Sequence, residues 1–221
     1  MDGASVVAFT DTYLPTVNGV TYTIKTWRER WERRGGRMDV VFPETTDHDP
    51  DRGEYPVRSI AFPFYDGFRV AAPRVPRRVR RGDVDVVHSH TPFSLGLAGL
   101  RLASRRDVPF VASYHTPTAE YADYLTSNAR LENGIEQLST RYERWFLSHA
   151  AAVIVPSDET RDRLARVGVE SDISVVQNGV DIEQFAPVDA TAFRERHGLD
   201  GDTLVGYTGR HGFEKRLPDI V

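Results

Sequence analysis

Three groups of residues in this 221-residue sequence have types and spacings that could do chemistry. The first is Gly206-Tyr207-Thr208-Gly209-Arg210-His211-Gly212-Phe213-Glu214-Lys215-Arg216, which follows an apolar run and opens what reads as a helix. At such a turn, backbone N–H groups and the helix dipole supply positive potential. Arg210 and Lys215 add two permanent charges, a device suited to a diphosphate. Ordinary βα turns also carry glycine and arginine for reasons of fold alone, so by itself the stretch leaves both readings open.

The second group is histidine. Asp85-Val86-Val87-His88-Ser89-His90 and Val108-Pro109-Phe110-Val111-Ala112-Ser113-Tyr114-His115 each read as a buried strand with histidine at its carboxyl end. Open parallel sheets bind ligands outside the carboxyl ends of their strands, so these positions are favourable. His88 and His90 are read as pointing to opposite faces of their strand, which argues against one metal held by both. A structural or supporting role is expected for one of them. The third group is charged surface. Asp47-His48-Asp49-Pro50-Asp51 reads as a solvated loop rather than a metal site. Arg74 to Arg81 is the concentrated basic patch. It is either a solvated helix face or a contact with phosphate or an anionic membrane surface, worth about 1 kcal/mol per well-placed cation.

The elements that must position these residues alternate. A strand at 5–10 leads through a turn-rich segment to a helix with Val20, Ile24, Trp27 and Trp31 on one stripe. That helix stops near Gly35-Gly36, and a second strand follows at 38–43. This βαβ order implies a parallel sheet with right-handed crossovers. Further strands are expected within 55–64 and at 85–90, 108–114, 150–155, 173–176 and 203–208. Helices are expected at 95–104, 131–149, from Ser157 onward and at 190–197. On the long helix Ile135, Leu138, Tyr142, Trp145 and Phe146 share a face expected to be core.

Hydrophobic residues at 40% suit a chain with a sizeable core, and a net charge of −4 excludes binding nucleic acid by electrostatics alone. The sequence contains no cysteine, so disulfides and cysteine-zinc sites are excluded. It shows neither a signal-peptide pattern nor an apolar run of membrane-spanning length. A cytoplasmic protein is expected. Lysine occurs only at 25 and 215, which makes Lys215 stand out among the arginines.

Several stretches, taken in order, resemble one family. Phe9-Thr10-Asp11-Thr12-Tyr13-Leu14-Pro15 with Asn18-Gly19-Val20, then Val87 to Gly96, then Ser113-Tyr114-His115-Thr116, are the first three. Val155-Pro156-Ser157, Asn178-Gly179-Val180-Asp181 with Phe185, and Gly209-Arg210 with Glu214-Lys215 complete the set. The chain resembles the retaining glycosyltransferases of the GT-B fold in family four, and the first three stretches look most like the branch with lipid acceptors. The resemblance implies an α/β fold. Residues 1–185 would form a Rossmann-like, acceptor-side domain, a parallel sheet with helices on both faces. Residues 186–221 would form a linker and the first βα unit of a truncated donor-binding domain. It also implies transfer of a hexosyl group from a nucleotide-sugar to a lipid or glycan, with retention, without a metal or other cofactor and without nucleic acid as a partner. Peripheral contact with the inner membrane face is part of the same expectation.

By match, the backbone N–H of Gly19 would approach the donor diphosphate, where a side chain would obstruct. Arg210 and Lys215 would neutralise the leaving diphosphate. His115 would hydrogen-bond a hydroxyl of the donor sugar or the charge developing near its anomeric carbon. His90 and Thr91 would line the acceptor side, and Asp11 would meet an acceptor hydroxyl. The family's Glu-x7-Glu motif, expected well beyond Lys215, does not occur in these 221 residues. Activity is therefore expected to need a further part. The alternative is a non-catalytic, acceptor-binding or regulatory half that works with a separate chain.

Overall fold

The computed structural model describes residues 3–62, 68–115, 129–180, 182–183, 189–199, 203–209 and 216–219, with side chains of 129–133 excepted. Val6 and Ala8 face one side of the first strand while Val7 and Phe9 face the other, and both sets are apolar, so the strand can be covered twice. It becomes the centre of a sheet. β1 (Ser5–Phe9) pairs in parallel with β2 (Arg37–Pro43), and β2 with β3 (Glu54–Val57). The chain then returns across β1 to β6 (Val86–Ser89) and continues outward through β7 (Phe110–Ser113), β8 (Ala152–Val155) and β9 (Asp172–Val175). The resulting order is β3-β2-β1-β6-β7-β8-β9, and every pairing in it is parallel. A separate antiparallel pair, β4 (Ser59–Ala61) with β5 (Arg69–Ala71), lies within the excursion between β3 and β6.

The reversal of direction at β1 places helices on both faces. α1 (Gly19–Arg33) covers one face, with Ile24, Val20, Trp27 and Trp31 against Ala8, Val40 and Phe42. α3 (Ser94–Arg106), α4 (Ala129–Leu147) and α5 (Asp158–Arg166) supply Leu95, Phe146 and Leu164 to the larger core on the other. A short α2 (Arg77–Arg81) precedes β6. Asn18 caps α1 by accepting from the Thr21 N–H at 2.9 Å, and Ser157 caps α5 by accepting from Thr160. No helix among the described residues is long and apolar enough to cross a membrane.

The chain divides into Met1–Gly179 and Val180–Val221. In the second unit α6 (Thr191–His197) ends on Gly198 at φ 63°, and Leu217–Asp219 form one 3-10 turn. The strand expected at 203–208 is absent: these residues carry no regular structure. A strand exists through its neighbours, and among the described residues this unit has no other strand to pair with. Two further expectations need correction. Leu138 and Trp145 are exposed although Phe146 is buried, because α4 buries a narrower stripe than its apolar spacing suggests. His48 is not a solvated loop residue, since its Nε2 lies 2.7 Å from the buried Glu54, which also accepts from Tyr13 and Arg28. Phe146→Ala is expected to cost about 3–5 kcal/mol of unfolding free energy. Leu138→Ala should stay within about 0.5 kcal/mol of the parent, both read by urea denaturation.

Candidate functional site

The strand order fixes where a ligand site can form. β1 sends the chain one way to β2 and the sheet the other way to β6, so a crevice opens at the carboxyl ends of these two strands. Asp11 leaves β1 there, His90 and Thr91 leave β6, and His115 leaves the neighbouring β7. Gly19, the first residue of α1, is exposed on the same edge, and a Cβ built on it would meet nothing within 4 Å. Among the described residues no contact demands glycine at this position. Arg210 and Lys215 lie outside the described residues.

Asp11 is buried, and its carboxylate is fully engaged. It accepts from the Thr91 hydroxyl at 2.7 Å, the Ser94 hydroxyl at 2.8 Å and the Leu95 N–H at 3.1 Å, while its own N–H donates to Thr91 at 2.8 Å. Phe93 offers α3 no side-chain cap, so Asp11 caps that helix from across the sheet. Burial raises the Asp11 carboxyl above its ordinary value despite the opposing hydrogen bonds from Thr91, Ser94 and Leu95. The polar atoms of Asp11 and Thr91, expected to meet an acceptor, hold β1 to the β6–α3 junction. α3 can come this close because residue 96 is glycine; a Cβ there would sit 2.0 Å from the Thr91 carbonyl oxygen.

The histidines form one cluster. The rings of His88 and His90 are 4.2 Å apart, and Trp27 of α1 lies 5.5 and 5.7 Å from them. The reading that sent His88 and His90 to opposite faces is wrong, because alternate residues along extended chain share a face. His90 is 2% exposed, so it does not line an open wall; it stands behind His115, with His90 Nδ1 3.1 Å from His115 Nε2. His88 Nε2 is paired with Ser113 Oγ at 2.8 Å. Among the described residues no group of three or more His, Cys, Asp or Glu side chains is arranged to hold a metal ion.

Among the described residues, His90 Nε2 is buried without a hydrogen-bond partner. An orphaned lone pair is less costly there than an orphaned N–H. We therefore assign the proton of His90 to Nδ1, from which it donates to Nε2 of His115. His115 then carries its proton on Nδ1 and is a neutral donor.

Two tyrosines with no role at the site expected from the sequence fix this edge. Tyr114, immediately before His115, donates to Glu143 of α4 at 3.1 Å and accepts from Arg163 of α5. Tyr142 donates to the Pro92 carbonyl. Burial and the Asp11 charge push its hydroxyl up to about 12. Glu143 was legible in principle, since it lies three residues before Phe146 on the buried side of an amphipathic helix.

Burial pushes His115 down to about 4, and burial with the His115 charge pushes His88 down to about 3. His90 is held well below 6.5, first by burial and then by its two neighbours. All three are neutral near pH 7. Because the unfolded chain takes up these protons near 6.5 and the folded chain only far lower, stability is full above about 6.5. It falls as pH drops towards 4, by up to about 1.4 kcal/mol per pH unit for each histidine. Asp11, raised by burial, acts in the opposite sense, adding stability as pH falls through its folded-state value towards 3.8. The urea midpoint is expected to fall between about pH 6.5 and 4, and His88→Gln should make the fall shallower. A flat profile in the parent protein would contradict a buried neutral cluster.

The sequence profile described as Glycosyltransferase Family 4 matches residues 17–184. The chain is 26% identical to an alpha-monoglucosyldiacylglycerol synthase of Acholeplasma laidlawii, with 96% of this chain and 57% of that protein covered. It is 31% identical to a GDP-mannose-dependent alpha-mannosyltransferase of Mycobacterium tuberculosis, covering 100% of this chain and 60% of that protein. The chain thus spans about half the length of the curated relatives it matches. Among solved structures, sucrose-phosphate synthase from Thermosynechococcus elongatus superposes with a TM-score of 0.62 at 16% identity, covering 90% of this chain and 53% of that one. HepE of Anabaena in complex with UDP-glucose gives 0.56 at 13%, covering 90% and 50%. Those two likenesses bear on the fold, and they agree with a Rossmann-like sheet of the GT-B kind. With its profile match extending from the start of α1 past the last strand of the sheet, the chain belongs to glycosyltransferase family 4.

Proposed function

We propose that this chain is the acceptor-side domain, with the opening of the donor-binding domain, of a retaining glycosyltransferase. It would act in transfer of a hexosyl group from a nucleotide-sugar to a lipid or glycan acceptor. The observation that carries the reading is the neutral His115, backed by His90, at the switch-point edge that also holds the unobstructed Gly19. Membership of family 4 supports the reaction class, and the relative named for diacylglycerol glucosylation supports a lipid acceptor.

In the proposed reaction the bond between the anomeric carbon and the diphosphate oxygen breaks as the acceptor oxygen bonds to that carbon on the same face. The acceptor's proton passes to the departing diphosphate. Positive charge develops on the sugar and negative charge on the leaving group. A neutral His115 donates a hydrogen bond to a sugar hydroxyl without repelling the cationic ring. Gly19, at a helix N-terminus, offers its N–H to the diphosphate. Arg210 and Lys215 neutralise the leaving group in place of a metal ion. A nucleotide-sugar donor puts the reaction in the cytoplasm, and a lipid acceptor puts it at the membrane's inner face.

The test is a transfer assay on the full-length protein with a panel of nucleotide-sugars against lipid and glycan acceptors. Lys215→Ala is expected to lower kcat by about 100-fold or more while acceptor binding persists. His115→Ala is expected to lose turnover and keep its circular dichroism spectrum. Near-normal transfer by Lys215→Ala would remove the diphosphate assignment, and full activity in His115→Ala would remove the role given to the histidine.

A further inference from the structure

The connection from β1 to α1 leads directly to the Gly19 N–H, yet residues 12–18 contain no helix or strand, and Tyr13 is the only buried residue among them. Two ties hold this segment. At its far end Asn18 donates to the Thr12 hydroxyl at 2.7 Å while capping α1. At its near end the ring of Tyr13 packs on Phe42, with 4.9 Å between centroids, and its hydroxyl donates to Oε1 of Glu54 at 2.9 Å. A turn carries this anchor onward, since the Tyr13 carbonyl accepts from the Thr16 N–H at 3.0 Å.

Glu54, the first residue of β3, is buried, and its carboxylate is saturated. Oε1 also accepts from Nη1 of Arg28 on α1 at 3.0 Å, so one oxygen joins the segment before the helix to the body of the helix. Oε2 accepts from His48 Nε2 at 2.7 Å and from the Asp51 N–H at 3.1 Å. Four donors on two oxygens leave Glu54 nothing to offer a ligand. Burial alone would raise its carboxyl, but hydrogen bonds from His48, the Asp51 N–H and Tyr13 hold it below its ordinary value. Burial and the Glu54 charge push the Tyr13 hydroxyl up, so it remains a donor.

The neighbouring elements are anchored without this group. β3 pairs with β2 from Val40 opposite Glu54 to Pro43 opposite Val57, and α1 packs through Ile24, Trp27 and Trp31. Buried charge networks add little to stability over well-packed apolar groups. What apolar packing does not supply is direction. A ring against a ring tolerates sliding, whereas a hydrogen bond to a fixed oxygen selects one position. A shift of about 1 Å in a positioned group can cost up to about 100-fold in rate.

We propose that Glu54 is a positioning residue for transfer: through Tyr13 it fixes the β1–α1 connection against α1, and so the place at which the Gly19 N–H meets the donor diphosphate. The role at the diphosphate rests on the transfer reading; the hold of Glu54 on residues 12–18 does not.

The test uses the full-length protein and Tyr13→Phe, which removes one hydroxyl and keeps the ring on Phe42. Amide hydrogen exchange in residues 12–19 is expected to speed up by about 10-fold or more. KM for the nucleotide-sugar should rise by about 5-fold or more, while KM for the acceptor moves by less than about 2-fold. Val79→Ala, a buried change in α2, controls for general loosening and should move neither KM by more than about 2-fold. In a Glu54→Leu background, Tyr13→Phe should change the donor KM by less than about 2-fold, because the hydroxyl acts only through Glu54. Where circular dichroism shows that Glu54→Leu does not fold, the single Tyr13→Phe variant decides. Unchanged exchange in Tyr13→Phe, faster exchange with an unchanged donor KM, a rise shared equally by both KM values, or an equal rise in Val79→Ala overturns the role. If the parent transfers no sugar from any donor, the transfer reading falls and takes the diphosphate role with it. Faster exchange in Tyr13→Phe then still establishes the hold of Glu54 on the connection, and unchanged exchange refutes it.

Discussion

The edge of this domain depends on a single buried carboxylate. Asp11 draws the Thr91 hydroxyl, the Ser94 hydroxyl and the Leu95 N–H onto two oxygens, and so pins the end of β1 to the loop after β6 and the start of α3. These two strands are neighbours only because the sheet reverses direction between them. Reversal leaves a gap that helices do not cover, and without a polar tie the strand ends there would be free to splay. A buried carboxylate is costly unless hydrogen-bonded, and here three donors reach it, one of them from an otherwise uncapped helix.

The histidine cluster uses the opposite strategy. Where Asp11 gathers donors, His88, His90 and His115 are crowded against one another and Trp27, and burial removes their charge. A neutral imidazole has one donor and one acceptor, so a chain of them fixes its own proton positions from the buried end outward. The unpartnered Nε2 of His90 is that buried end. Rigidity of the outermost ring comes from beneath: Tyr114 is locked between Glu143 and Arg163, on two helices that come later in the chain.

On the second half of α3, Arg101 and Arg105 have no ion-pair partner among the described residues. One helix therefore links two unlike environments, with its N-terminus on the Asp11 carboxylate and its second half on a wall of arginines. Such polarity agrees with the macrodipole, which favours an anion at the first turn and cations at the last.

The order of β1, β2, β6, β7, β8 and β9 and of α1, α3, α4 and α5 was legible in the sequence, because continuous apolar runs and a 3.6-residue stripe are local properties of the chain; the antiparallel pair β4–β5 was not. The placing of the histidines at strand ends was legible for the same reason. The strand expected at 203–208 failed because a strand needs neighbours that a local pattern cannot supply. Leu138 failed because the width of a buried stripe is set by what packs on it. That Asp11 is buried under three donors and His90 behind His115 was decided only by the tertiary structure. Residue type and spacing place a side chain at the end of a strand. Only the β1–β6 crossing and the closing of α3 over it, allowed by Gly96, determine which polar atoms are already taken.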